Sequence, residues 1–285
     1  MKLDFILKGD KRSRKALKNI AFSFGVKGMD SIVQLLLVPV TLGYLNAYEY
    51  GIWLTLNSIL LWINSFDIGL GNGLRNQLAI AVAKSDKELA RSLVSTAFGM
   101  IAIIMTIILC FGSPIVLNLD WYNILGTDID SVPNLISIVY ISFALFCLNF
   151  MMKFVGNVYL AMQMPAINNL LVSLGHLLSL VIIYVLTKYS SGGLLYVATA
   201  FSVSPVIVYI IAYPITFRLV YRDLSPSISL FRKRHLSSLF NVGVQFFILQ
   251  LFGILLFSLS NIIISKLFGP DQVTPYNISF RYFSL

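Results

Sequence analysis

Ser23, Lys27, Asp30, Gln34 and Thr41 recur at steps of three, four and seven, which stacks them on one face of a helix. Asn57, Asn64, Asp67 and Arg75 repeat the pattern further along, and Asn149, Lys153 and Asn157 follow at four-residue steps. Asn169, Ser173 and His176 form another stripe, as do Ser258, Asn261 and Ser265. Every one of these stripes lies inside a long apolar run. Several helices with one wet face each need a common polar interior. Interhelical hydrogen bonds, worth about 0.6 kcal/mol each, account for the Asn and Ser positions. A lysine at mid-membrane costs ~3 kcal/mol or more, so the charged positions ask for more. Lys27 and Asp30, three residues apart, can neutralise one another locally. Lys153 has no acid three or four positions away, and Arg281 lies in the last apolar run. Such cations in a cavity attract anions, and Lys and Arg are the usual partners of phosphate. A cation exporter would instead show buried acids without partners, whereas the only acids within apolar runs are Asp30 and Asp67. The balance favours an anionic substrate. His176, a lone histidine in a helix, reads as a hydrogen-bonded bundle residue before a proton relay.

The elements that carry these residues follow from composition. Apolar types make up 58% of the 285 residues and charged types only 12%, with a mean hydropathy of +0.83. A soluble domain carries about a quarter charged residues. There are too few charges here to coat a water-facing surface, so soluble-enzyme and disordered readings fall away. Windows long enough to span a bilayer core fall at 19–45, 51–82, 92–118, 134–161, 166–187, 194–217 and 239–267. Continuous apolar runs argue helices, since barrel strands would alternate over ~10 residues. An eighth run begins at 272 and stops at Tyr282-Phe283-Ser284-Leu285, which reads as a truncated piece of a longer protein. Of the 21 Lys and Arg, 16 lie in the N-terminal arm and in the connections after the second and sixth spans. Those segments share one side if the helices alternate, which places the N-terminus in the cytoplasm. The net charge of +9 is then topology and lipid contact, not a nucleic-acid surface. The arm 1–18 is basic for too long to be a signal peptide. Cys110 and Cys147 sit inside apolar runs as small hydrophobes, without metal or redox spacing. No metal and no cofactor are expected.

A weak echo runs through the chain at a spacing of 222: Asn19 with Asn241, Leu45 with Leu267, Ala47 with Gly269, Glu49 with Asp271. Six spans separate the two starts, so the repeats run in the same direction, a transporter architecture. Gly69, Gly71 and Gly73 alternate within the second span, where they predict a bent helix and close packing. They lack the strand and acid of a dinucleotide loop. With Pro39 they are the hinge candidates for alternating access. Pro205 and Pro214 are further kink positions.

The run Leu42-Gly43-Tyr44-Leu45-Asn46-Ala47-Tyr48-Glu49-Tyr50-Gly51-Ile52-Trp53, followed by Phe66-Asp67-Ile68-Gly69-Leu70-Gly71-Asn72-Gly73-Leu74-Arg75-Asn76, resembles the start of the bacterial lipid-linked oligosaccharide flippases. These are the O-antigen and capsule repeat-unit translocases of the multidrug/oligosaccharidyl-lipid/polysaccharide exporter superfamily. Leu267-Phe268-Gly269-Pro270-Asp271-Gln272-Val273, with Tyr276-Asn277, is similar to the family's passage into its second bundle. The resemblance implies an all-α integral membrane fold of the multidrug-exporter type, a six-helix bundle plus the start of a second, parallel-repeat bundle. It divides the chain into a basic cytoplasmic arm (1–18), a first bundle (19–220), a cytoplasmic linker (221–237) and the start of the second bundle (238–285). It implies movement of a polyprenyl-diphosphate-linked oligosaccharide across the bacterial inner membrane for surface polysaccharide, with no covalent catalysis. Helices 1, 2, 7 and 8 line the family's lumen, which here would present Lys27, Asp30, Asp67, Arg75 and Arg281. Gln34, Asn64 and Lys153 complete the candidate substrate-binding set. The implied partners are the lipid-linked oligosaccharide, the bilayer and the polysaccharide polymerase machinery. An ion-coupled multidrug exporter of the same fold and a non-transporting membrane subunit of a polysaccharide pathway are the competing readings.

Overall fold

A computed structural model of the chain describes residues 11–61, 69–190 and 193–284, the side chains of 11–18, 241–251, 253–258, 281 and 284 standing outside that description. The helices are α1 (Lys11–Leu42), α2 (Ala47–Leu61), α3 (Leu70–Ala83), α4 (Lys87–Asn118), the short α5 (Trp121–Leu125), α6 (Leu135–Met152), α7 (Val155–Ala161), α8 (Pro165–Tyr189), α9 (Leu194–Pro214), α10 (Arg234–Phe268) and α11 (Val273–Ser284). Among the described residues there is no strand, and five helical segments are long and apolar enough to cross a membrane. The protein is a multi-pass, all-α membrane protein.

Local chemistry sets the helix ends. The Asp86 carboxylate accepts from the Leu89 amide to cap α4, and Asp120 accepts from the Asn123 amide to cap α5. Gly69, with φ 75°, opens α3 in the left-handed region that favours glycine. The second predicted span therefore carries a break at Gly69, before α3. The fourth is also broken. Lys153 ends α6, and the Gly156 amide donates to the Lys153 carbonyl, a tight turn before α7 resumes.

Packing closes these helices around a centre. α1 lies against α8, α8 against α9, α9 against α6, α6 against α4 and α4 against α3. Three side-chain bonds between α1 and its flank and α8 and its flank keep a constant offset: Asn169 to Ser23, His176 to Asp30, and Tyr44 to Ser190. A constant offset means that α1 and α8 run parallel, as odd-numbered spans must. The core is aliphatic, with Leu56, Leu70, Leu74, Leu78 and Ile101 sealed inside, while Phe24, Phe111 and Ile115 face outwards. In lipid that outward apolar surface is solvated rather than exposed.

α10 lies against both halves of the broken second span. Near one end, a methyl group at Gly73 would collide with the Leu239 carbonyl. Near the other, one at Gly51 would collide with the Pro270 carbonyl. Around Gly51 the Asn261 amide donates to Ser58 (2.5 Å), Asn277 donates to Asn261 (2.7 Å), and Thr274 donates to the Ala47 carbonyl (2.7 Å). The two later glycines of the 69–73 cluster therefore serve close packing: Gly73 against α10 and Gly71 against Asn157, whose amide nitrogen would lie 2.7 Å from a Cβ there. Pro39 is carried inside α1, and Pro205 packs its ring region against Gly175 of α8.

Candidate functional site

Inside the first six spans lies a cavity of about 260 Å³, walled by α1, α2, α6, α8 and α9. Its polar groups include Gln34, Asn57, Asn149, Lys153 and His176, and its flat walls are Trp53, Phe146 and Phe201. A second cavity of about 470 Å³ shares Lys153, Val172 and Tyr209 with the first and adds Asn72, Asn157 and Asn168. The four-residue steps of Asn149, Lys153 and Asn157 are what carry the fourth span along both. Lys153 stands at the turn between α6 and α7, where the break in the helix places its side chain on the border of the two spaces. Its ammonium lies 5.0 Å from the centre of the Phe150 ring.

On the wall formed by α1 and α8, the Asp30 carboxylate is held from two sides. Gln34 donates to it at 2.9 Å, and His176 Nδ1 lies 2.7 Å from its other oxygen. Asp30 is therefore engaged across the helix interface, not with Lys27, and among the described residues no ion pair joins those two. The reason is geometric. Asp30 faces α8 and is only 20% exposed, whereas Lys27 points outward from α1. His176 is the hydrogen-bonded bundle residue that its isolation in the sequence implied.

Of the residues singled out from the sequence, the structure brings Gln34 and Lys153 to the cavity, with Asp30 bonded to its wall. Lys27 and Arg75 are exposed on α1 and α3. Asn64 and Asp67 lie outside the described residues, and the backbone of Arg281 lies on α11 while its side chain lies outside the description. Sequence reasoning missed the aromatic wall: Trp53 and Phe201 stack at 5.3 Å between centroids with planes 19° apart. Their signal in the sequence is weak, because aromatic residues in an apolar helix look like any other core position. The Asn149 side-chain oxygen is buried, with no hydrogen-bond partner among the described residues.

Residues 16–285 match the model of a family described as polysaccharide biosynthesis protein. The chain belongs to that family. No curated protein matches it. Among solved structures, this member of the polysaccharide biosynthesis family is similar to a transporter of the MOP superfamily from Pyrococcus furiosus, at 18% identity over 100% of this chain and 63% of the other, with a TM-score of 0.73. It is also similar to a multidrug resistance MATE family transporter of that superfamily. The outward-facing form aligns with TM-score 0.71 at 16% identity, covering 99% of this chain and 62% of the other. The inward-facing form aligns with TM-score 0.65 at 17% identity, covering 92% and 60%. The chain thus has the fold of these transporters and spans about three-fifths of their length.

Proposed function

We propose that this polysaccharide-family protein moves a polyprenyl-diphosphate-linked oligosaccharide repeat unit across the bacterial inner membrane by alternating access, for surface polysaccharide such as O-antigen or capsule. The observation that carries this reading is the polar chamber with Lys153 at its centre, enclosed by the helices of a transporter fold in a polysaccharide biosynthesis family. A hydrated interior lets the glycan cross while the isoprenoid tail stays in lipid. The cations Lys27, Arg75, Lys153 and Arg281 attract the diphosphate on its way, with Asp67, Asn64 and Gln34 as polar neighbours. Motion of one bundle against the other, with Pro39 and Gly69 as flexible points, alternates the open side. The N-terminal arm lies in the cytoplasm, the polymerase machinery receives the product outside, and no bond is made or broken.

The test is surface polymer in a strain lacking the gene, complemented with the full-length protein. Replacing both Lys27 and Arg281 by alanine should abolish most polymer while leaving protein level unchanged. Normal polymer with both replaced contradicts the diphosphate clamp. The multidrug-exporter reading is favoured only by the fold of its solved relatives, two of which carry that description. Drug susceptibility of the deletion strain separates the two. Unchanged susceptibility with lost polymer supports the flippase.

A further inference from the structure

We infer that the chamber inside the first six spans is a glycan subsite, receiving one glycosyl unit of the transported molecule and reading its hydroxyl pattern. This rests on the transport reading above and assigns the sugar, not the diphosphate, to this chamber.

A pyranose has hydroxyl groups around its edge and an apolar C–H face. A site for it needs neutral groups able both to donate and to accept hydrogen bonds, and a flat apolar wall. Side-chain amides supply both polarities at once. The first cavity presents Gln34, Asn57 and Asn149, and the second presents Asn72, Asn157 and Asn168. Six amides from four spans line two cavities that share Lys153, Val172 and Tyr209. The buried Asn149 side-chain oxygen has no hydrogen-bond partner among the described residues. Flat walls come from the stacked Trp53 and Phe201 together with Phe146.

Two glycines show that the amides are accommodated by design. A methyl group at Gly156 would collide with the Asn168 side-chain oxygen, and one at Gly71 would stand 2.7 Å from the Asn157 nitrogen. The backbone has given way so that each amide can reach its place. The first cavity, about 260 Å³, and the second, about 470 Å³, together fall within the range of small-molecule sites, roughly 300–1,000 Å³. Neutral amides outnumber charge on these walls. Lys153 is the cation there, set among six neutral amides. A hydroxyl-rich ring matches that set of donors and acceptors.

The experiment uses full-length protein in detergent. Its probes are the free oligosaccharide released from the cell's own lipid-linked repeat unit and, separately, inorganic diphosphate. The oligosaccharide should raise the Tm of the wild type in a saturable way. Asn57→Leu and Asn149→Leu should each weaken that apparent affinity about fivefold, the loss expected for one hydrogen bond. Their effect on diphosphate should be nil. Gln34→Ala, at a half-exposed position, serves if either leucine variant loses its own cooperative melt. A wild type that the oligosaccharide does not stabilise, or variants stabilised as strongly as the wild type, would overturn the subsite. If the same wild type still flips the lipid-linked substrate in vesicles, the subsite alone has failed. If it flips nothing, the transport reading has failed with it.

Discussion

His176 and Asp30 meet across α1 and α8 at 2.7 Å, 146 positions apart in the chain. Removing only the histidine leaves a carboxylate in the membrane interior with Gln34 as its remaining described partner. His176→Leu should therefore destabilise the protein by about 1–3 kcal/mol, the cost of an unsatisfied buried polar group. Adding Asp30→Leu to the same chain should recover much of that loss, because replacing both partners by apolar groups approaches neutrality. Thermal melts of both single variants and the double variant check this, and simple additivity would contradict it. The polar stripe of α1 was legible from spacing alone, since helical periodicity fixes which residues share a face. Which helix that face meets was not legible. The three-residue step between Lys27 and Asp30 suits a local ion pair, yet it leaves the two side chains about 60° apart around the helix, with Asp30 bonded to His176 of α8 and Lys27 exposed. Spacing constrains neighbours on one helix and says nothing of a partner 146 residues away.

At the scale of elements, the connection after α9 is fastened to α4 along its length. Ser95 accepts from the Ser227 amide (3.0 Å) and Thr96 from the Arg232 amide (3.0 Å). Ser92 donates to the Leu230 carbonyl (3.0 Å) and Arg91 to the Ser225 carbonyl (3.0 Å). Gly99 leaves room for Phe231, whose ring would lie 2.9 Å from a Cβ there. Beyond these stands one exposed pair, Lys87 with Asp223 at 2.7 Å. The hydrogen bond from Lys87 holds the Asp223 carboxyl below its ordinary value and raises the Lys87 ammonium above its own. A depressed carboxylate stabilises above its ordinary pKa and loses that contribution as pH falls through the folded value. A raised ammonium stabilises below its ordinary pKa and loses it as pH rises past the folded value. The pair thus acts between roughly pH 4 and pH 10. Both side chains are largely exposed, so its share is small and salt-sensitive. Lys87→Ala should leave hydrogen exchange of 225–232 nearly unchanged, whereas Ser95→Ala with Thr96→Val should speed it several-fold. Equal effects would contradict a strap held by the hydroxyls. This basic connection read from the sequence as topology alone; its hydroxyl partners on α4 were invisible because Ser and Thr in a helix usually bond their own preceding turn.

For the molecule as a whole, hydropathy gives the all-helical, multi-pass class because lipid leaves the backbone no choice but the helix. Among the described residues, helices lie over each predicted window and five segments are long and apolar enough to cross, with breaks at Gly69 in the second window and at Lys153 in the fourth. The alternating glycines announced the first break, whereas nothing in the run Asn149 to Asn157 announced the second. The resemblance implies a cationic lumen between two bundles. The structure gathers Gln34, Asn149 and Lys153 around a cavity among the helices α1, α2, α6, α8 and α9, with aromatic walls that apolar patterning conceals. Transport of a lipid-linked glycan is the claim on which the rest depends. It is tested most directly by reconstituting the full-length protein in liposomes with a fluorescently tagged polyprenyl-diphosphate oligosaccharide and measuring the label's accessibility to a membrane-impermeant quencher over time. The account predicts that the protein makes inner-leaflet label accessible and that Lys153→Leu slows this at least tenfold. Label that stays as protected as in protein-free vesicles would contradict it.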